Sequence, residues 1–99
     1  MGELSLREQG DAGQFILSGK LTRNTVMSLV GELAGLWQHK APCLDLAELT
    51  ATDTAGLAWL VSVVADAKQR QVELKLENPP QSLLKLAKIS DVESLLPLQ

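Results

Sequence analysis

A long apolar helix between two short strands constrains this chain more than any other feature. The helix begins in the run Thr52–Gly56 and continues to about Arg70. Cys43–Leu46, before it, is a short apolar run, and Val72–Leu76, after it, alternates apolar with charged residues, as strands do. This order predicts a βαβ unit whose two strands lie parallel and are joined by a right-handed crossover.

The start of this helix is rich in residues that begin helices. The side-chain oxygens of Asp53 and Thr54 can accept hydrogen bonds from the unpaired N–H groups of the first turn. Gly56 lacks a side chain, which allows another backbone or a partner to come close. We therefore expect Asp53 and Gly56 to support the loop, with Thr54 displayed at the positive end of the helix.

A helical wheel at about 100° per residue separates the helix into two sides. Four aliphatic residues form the predicted buried stripe, namely Leu57, Leu60, Val61 and Val64. The other side carries a mixed set, namely Ala55, Trp59, Ser62 and Asp66, with Val63 beside them. Two interpretations of Trp59 remain open: it lies flat under a neighbouring loop, or it is an exposed aromatic anchor of a protein interface.

The segments before Cys43 predict a β-hairpin followed by a helix. Glu3–Glu8 alternates, and after a glycine-containing turn Gln14–Ser18 returns as the second strand. Thr22 is the first candidate cap of the helix, with Asn24 and Thr25 as alternatives. The helix is predicted from apolar residues at helical spacing, namely Val26, Leu29, Val30, Leu33 and Trp37. We expect Trp37 to be a core residue.

The remaining segments are two predicted helices and one connection. Asn78 is expected to cap a helix that has Pro79 at its first position and Leu83, Leu84, Leu86 and Ala87 on its apolar side. Ser90–Glu93 has the pattern of a capping box, which predicts a last short helix ended by Pro97. Ala47–Ala51 is interpreted as the connection that leaves the strand before Thr52.

Length and charge limit the classes of function. The 99 residues predict a single domain over 1–99, and the formal net charge of −3 gives no electrostatic footprint for nucleic acid. No apolar run approaches the 18 residues of a membrane span, and the N-terminus lacks a signal-peptide pattern. Cys43 is the only cysteine, which favours a reducing compartment. We expect a soluble cytoplasmic domain without direct membrane insertion.

The residue types needed for catalysis are not combined in this sequence. No glycine pattern matches a phosphate-binding loop, and Asp45 and Asp53 lack an accompanying histidine or lysine with an obvious role. His39, the only histidine, is expected to be a solvated loop residue, since no second ligand lies at metal spacing. Asp45 is expected to accept hydrogen bonds from a nearby loop. The sequence predicts no enzyme, no metal and no cofactor.

The order of elements resembles the STAS domain (sulphate transporter and anti-sigma-factor antagonist) from about Glu3 to Leu96. The most specific part is Leu44–Leu46 followed by Asp53–Leu57, which is similar to the family's D-[ST]-x-G loop. Gly19–Thr22 resembles the family's G-x-L-D, with threonine in the last position. The resemblance implies an α/β STAS-like (SpoIIAA-like) fold, with a mixed sheet of about four strands packed against three to four helices.

Within the family, the chain resembles the small STAS subunits of Mla-type phospholipid ABC transporters. This likeness rests on the small size, the run Asp53–Leu60 and the run Asp66–Lys68. It implies a non-enzymatic partner that binds the transporter's ATPase subunit at the cytoplasmic face of the inner membrane. Such a complex maintains outer-membrane lipid asymmetry.

The helix face that carries Trp59, together with the small Ala55 and Gly56, which permit close approach, indicates where the partner binds. The predicted partner-binding residues are Thr54, Ala55, Trp59, Ser62 and Asp66. The alternative function is an anti-sigma-factor antagonist, because Thr54 falls on the residue that is phosphorylated in those relatives. Their Ser-Ser-Gly is Thr-Ala-Gly in this chain. Trp59, as an apolar residue on this helix face, also predicts weak self-association of the isolated domain.

Overall fold

The fold is α/β in the computed structural model, which describes residues 4–10, 13–29 and 31–97. The described strands are β1 (Ser5–Gln9), β2 (Gln14–Leu21), β3 (Cys43–Asp45), β4 (Leu49–Thr52) and β5 (Lys75–Glu77). The α-helices are α1 (Thr54–Gln69) and α2 (Gln81–Ile89), and shorter 3-10 segments cover Val26–Leu29, Leu33–Gln38 and Glu93–Leu95. The predicted α/β class is confirmed, with one strand more than expected.

Strand β2 organises the mixed sheet. It pairs antiparallel with β1, which confirms the predicted hairpin, and parallel with both β3 and β4. On the other side of β3 lies β5, with Cys43 opposite Lys75 in a parallel register. The two strands that flank α1 are therefore parallel, as the sequence predicts. The last strand begins later than expected, at Lys75 instead of Val72.

The interpretation of Ala47–Ala51 as a connection is wrong, because Leu49–Thr52 forms β4. This strand pairs with the end of β2, which extends beyond the predicted Ser18 to Leu21. Only Leu49 is buried in β4, so the segment lacks the alternation that marks a strand in a sequence. Its partner lies about thirty residues earlier in the chain, and no local pattern reports such a pairing.

The predicted helix ending at Trp37 is replaced by the two 3-10 segments at Val26–Leu29 and Leu33–Gln38. Glycines at positions 31 and 35 disfavour a continuous helix. Hydroxyl groups also compete for the N–H and C=O groups that would form its backbone hydrogen bonds. The Thr25 hydroxyl accepts from the Thr22 N–H at 3.0 Å and donates to the Lys20 carbonyl at 2.6 Å. Trp37 is half-buried against the core, and Val30 lies outside the described residues.

Both predicted starts of the C-terminal helices are wrong. Helix α2 begins at Gln81 after Pro80, while Asn78 adopts a positive φ of 53° and does not cap it. Pro79 precedes another proline, which disfavours helical backbone at that position. Ser90 ends α2, its N–H bonding back to the Leu86 carbonyl, so it does not open a capping box.

Helix α1 covers the sheet with a buried face close to the predicted one. Leu57, Leu60 and Val64 are at most 4% exposed, which confirms three of the four stripe positions. The other two valines differ from the prediction, since Val63 is 4% exposed and Val61 is half-buried. The buried face is thus rotated towards Val63, and Val61 lies at its edge.

The first turn of α1 lies in direct contact with the backbone at the end of β2. A Cβ atom on Gly56 would overlap the carbonyl oxygen of Leu21, so only glycine fits here. The same carbonyl accepts a hydrogen bond from the Asp53 N–H at 3.2 Å. The close approach anticipated at Gly56 is therefore made by this chain's own backbone.

Gly56→Ala is expected to lower the free energy of unfolding by about 1–3 kcal/mol, because the added methyl group forces α1 away from Leu21. Alanine alone favours a helix over glycine by about 1 kcal/mol, so a loss runs against intrinsic propensity. Urea denaturation measures the change. Gly31→Ala is the control, since no described atom lies within 4 Å of its added Cβ. Equal stability of the two variants would contradict the overlap.

Candidate functional site

The Asp53 carboxylate holds the start of α1 against the loop that follows β2. One oxygen, Oδ1, accepts from the Gly56 N–H at 2.7 Å, which caps the helix. The other, Oδ2, accepts from the Arg23 N–H at 3.0 Å. The prediction that Asp53 or Thr54 begins the helix is confirmed, with Asp53 as the cap. One side chain thus joins two segments that are thirty residues apart.

These bonds also stabilise the charge of Asp53. The Arg23 N–H, and after it the Gly56 N–H, donate to the carboxylate and lower the pKa of Asp53 below its ordinary value. A carboxylate at a helix N-terminus is further favoured by the helix dipole. Asp53 is therefore anionic at neutral pH and forms a fixed part of the site.

Thr54, the first residue of α1, is exposed beside a shallow apolar depression of about 260 Å³. We name this depression the Thr54 groove. Its lining residues come from α1 and from the turn after α2, namely Thr54, Leu57, Ala58, Val61, Ser90 and Val92. The lining is mostly apolar. It includes two hydroxyl-bearing residues, Thr54 from α1 and Ser90 from the turn after α2.

Trp59 lies beside a second, more polar depression of about 340 Å³, which we name the Trp59 groove. Its lining residues are Leu33, Trp59, Ser62, Val63, Ala65, Asp66 and Gln69. Trp59 is half-buried and packs against the core, so it is neither fully covered nor fully exposed. Its role as an interface anchor stays a prediction.

A small network fixes Asp66 at this second groove. Arg70 Nε donates to Asp66 Oδ1 at 3.2 Å, and the same guanidinium lies 5.1 Å from the centroid of the Trp37 ring. This cation–π contact joins the last turn of α1 to the 3-10 segment that ends at Gln38. Asp66 is therefore paired with a residue at the end of its own helix.

The five predicted partner-binding residues lie on one helix but are divided between two depressions. Trp59, Ser62 and Asp66 line the Trp59 groove, and Thr54 lines the Thr54 groove. Ala55, in the first turn, is half-buried. Their role in binding stays a prediction.

In the Thr54 groove, besides the predicted stripe residues Leu57 and Val61, three residues were not selected from the sequence as part of a site. Ala58 is exposed four residues after Thr54, so helical spacing alone could have identified it. Ser90 and Val92 reach the groove from a turn more than thirty residues later, and no sequence signal marks that approach. The site is thus formed by tertiary contacts as well as by α1.

The side chains most capable of chemistry are engaged in packing. Burial, together with the hydrogen bond to Glu77, raises the pKa of the Cys43 thiol to about 12, which suppresses the reactive thiolate. His39 is half-buried instead of solvated, contrary to expectation: it contacts the Phe15 ring edge-on and bonds Glu8 Oε2 at 3.1 Å. Asp45 accepts from the Ala47 N–H at 2.9 Å, as predicted.

Within 4–10, 13–29 and 31–97, no three histidine, cysteine or acidic side chains are grouped so that they could hold a metal ion. Over the same residues, no helix combines the length and apolar character needed to cross a membrane.

Comparison with known proteins identifies the family. The chain matches the family model described as "Mlab, STAS domain" over residues 4–97. No curated protein matches it significantly in sequence.

Three solved structures that share the fold are of anti-sigma-factor antagonists. The unphosphorylated form of the antagonist SpoIIAA aligns with a TM-score of 0.69 at 13% identity, covering 97% of this chain and 87% of that one. The phosphorylated form of the Bacillus cell fate determinant SpoIIAA gives 0.66 at 13% identity, with 97% and 90% covered. An antagonist from Mycobacterium paratuberculosis gives 0.72 at 12% identity, with 96% and 82% covered. At these identities the likeness concerns the fold.

Asp53→Ala is expected to lower the free energy of unfolding at pH 7 by about 0.5–2 kcal/mol, because the cap is lost. The pKa of Asp53 is lowered in the folded state, so its contribution is complete above the unfolded-state pKa, about 4. The contribution disappears as the pH falls through the lower, folded-state value. Urea denaturation at several pH values from 7 down to 2 measures the free energy of unfolding of parent and variant. The difference between them should shrink as the pH falls.

Glu32→Ala is the matched control for this experiment, since the Glu32 side chain caps no helix end. Its difference from the parent should stay small throughout. A difference for Asp53→Ala that is the same at pH 7 and below the folded-state pKa would contradict the role of the charged carboxylate.

Proposed function

The chain belongs to the STAS domain family, and from this premise we propose that it is a non-enzymatic subunit that binds the ATPase of an Mla-type phospholipid ABC transporter. In this proposal it acts in the cytoplasm, at the inner-membrane face, and supports a complex that maintains outer-membrane lipid asymmetry. The match to the MlaB-type STAS domain over residues 4–97 carries the choice of partner.

The exposed face of α1 supplies a suitable contact surface. Thr54 is exposed on a helix start that Asp53 and the Gly56 contact hold in place. A surface fixed before binding loses little conformational entropy when the partner arrives. Ala58 and Ser62 continue this exposed face with small side chains, which permit close approach by the partner.

The Trp59 groove supplies a second part of the contact. The accessible part of the Trp59 ring offers a large rigid apolar area, the type of residue enriched among interface hot spots. Ser62 and Asp66 provide hydrogen-bonding groups beside it. This combination of an aromatic anchor with polar neighbours is typical of a protein interface.

Co-expression with the ATPase subunit from the same operon tests the proposal. We expect the two chains to co-elute in size-exclusion chromatography, and we expect Thr54→Glu to abolish co-elution because it places a charge on the contact surface. Thr50→Glu is the matched control, since Thr50 is also an exposed threonine but lies in β4. Trp59→Ala should weaken the complex about tenfold or more, as loss of a hot spot does.

Circular dichroism must show that every variant is folded. Co-elution of Thr54→Glu and Trp59→Ala at parent levels would reject this surface as the contact. Failure of the folded parent chain to bind the ATPase would reject the proposed function itself.

A second candidate function is that of an anti-sigma-factor antagonist regulated by phosphorylation. The specific observation in its favour is the exposed Thr54, at the family's phosphorylatable position, in a fold shared with SpoIIAA in both states. A phosphate would add about −1.5 to −2 charges beside the anionic Asp53 and would repel an acidic partner.

Incubation with the cognate anti-sigma kinase and ATP separates the two functions. The antagonist function requires one added phosphate, found by mass spectrometry in the parent and in Thr50→Ala but absent from Thr54→Ala. No mass shift in the parent chain would reject this alternative.

A further inference from the structure

We propose that Arg70 is a latch that holds the Trp59 groove closed, with the 3-10 segment Leu33–Gln38 as its movable wall. One wall of this groove is α1, which carries Trp59, and the other includes Leu33, the first residue of the segment. Arg70 connects the two walls through its contact with Trp37. The proposal concerns motion within the chain and does not depend on which protein binds the groove.

Arg70 is attached to α1 through both its backbone and its side chain. Its N–H donates to the Asp66 carbonyl at 3.0 Å, and its Nε donates to Asp66 Oδ1 at 3.2 Å. The guanidinium lies 5.1 Å from the centroid of the Trp37 ring, within the range of a cation–π contact. Because Arg70 is fixed to the helix, this contact ties the segment Leu33–Gln38 to α1.

The segment Leu33–Gln38 has a weak structure of its own. It is a 3-10 helix, whose hydrogen bonds have poorer geometry than those of an α-helix. Glu32, at its N-cap position, makes no side-chain cap hydrogen bond. The Gly35 N–H to Glu32 carbonyl bond and the His39 N–H to Leu36 carbonyl bond are each 3.3 Å long, which is long for such bonds. A segment of this kind opens at a low cost in free energy.

One buried side chain anchors the segment and leaves its two ends adjustable. Leu36 is fully buried, whereas Leu33 and Trp37 are half-buried where they pack against the core. The segment can therefore pivot about Leu36. Trp37 contacts Arg70 and Leu33 lines the groove, so a movement at Trp37 is carried about one turn along the segment to the groove wall.

The exposure of the latch makes it reversible. The side chains of Arg70 and Asp66 are 51% and 42% exposed. Ion pairs and cation–π contacts at exposed sites are individually weak, so they favour the closed wall without locking it. Movement of Leu33 away from α1 widens the groove and uncovers more of the Trp59 ring.

Arg70→Gln tests the latch, because it removes the guanidinium and leaves a neutral polar side chain at an exposed position. We expect amide proton exchange, measured by NMR, to become about two- to fivefold faster at Leu33–Gln38, as the loss of one partly exposed cation–π contact implies. Amides in the middle of α1 should exchange as in the parent. Arg70→Lys retains a cation and should fall between the parent and Arg70→Gln.

Lys68→Gln is the matched control. It removes a cation from the last turn of the same helix, but Lys68 lines other depressions and not the Trp59 groove. Exchange at Leu33–Gln38 should therefore stay at the parent rate. Circular dichroism of each variant shows that it is folded.

The indole N–H signals of the two tryptophans show whether the groove itself responds. Trp37 contacts Arg70 directly, so its signal should shift in Arg70→Gln from the loss of this contact alone. Trp59 lies eleven positions before Arg70, about 16 Å along the helix, so a shift of its signal reports movement of the wall. We expect both signals to shift in Arg70→Gln and the Trp59 signal to stay in place in Lys68→Gln.

Four results would overturn the proposal. Parent-like exchange at Leu33–Gln38 in Arg70→Gln would show that the contact holds nothing closed. Equal acceleration in α1 and in the segment would indicate a general loss of stability. A shift of Trp37 without a shift of Trp59 would separate the contact from the groove. An effect of Lys68→Gln as large as that of Arg70→Gln would assign the change to net charge.

Discussion

The contact between the first turn of α1 and the end of β2 determines the position of everything in the site. Gly56 packs directly on the Leu21 carbonyl, and the Asp53 N–H bonds that same oxygen. The Asp53 carboxylate then holds both the helix and the loop at Arg23. Since β4 pairs with β2 and ends at Thr52, the chain enters the helix from a strand that is itself fixed. The start of α1 is thus held by the end of β2, by the loop at Arg23 and by its direct connection to β4.

The start of α1 is held in place by these contacts and displays Thr54 at the surface. Thr54 is exposed. Cys43 and His39 are the most reactive side-chain types in the site's surroundings, but Cys43 is buried and His39 is half-buried and bonded to Glu8. The accessible surface is a helix face with small residues, and it borders the Thr54 groove and the Trp59 groove. Such a surface distinguishes partners by complementarity, which agrees with a family of interaction domains.

The fold and the surface carry different information about this protein. Anti-sigma-factor antagonists share the fold at only 12–13% identity, so the arrangement of sheet and helices tolerates almost complete change of sequence. Several residues that line the two grooves are exposed and lie outside the buried core, namely Thr54, Ala58, Ser62 and Ser90. The turn after α2 is an example, because Ser90 and Val92 form part of the Thr54 groove although they lie far from α1 in the chain. The shape of the accessible surface therefore depends on how such segments meet around a common helix.

The sequence by itself determined the elements that local physics specifies. The hairpin, α1 with its start at Asp53 or Thr54, and the parallel strands around it follow from periodicity and helix-start chemistry, which act within a few residues. Tertiary structure decided what depends on distant partners: β4, which exists through pairing with β2, and the rotation that buries Val63 and leaves Val61 at a groove edge. The helix predicted to end at Trp37 is replaced by 3-10 segments for local reasons, since its glycines and hydroxyl groups disfavour a continuous helix and apolar spacing alone was misleading. The grooves belong with the features that tertiary structure decided, because they are formed by surfaces that meet only in the folded chain.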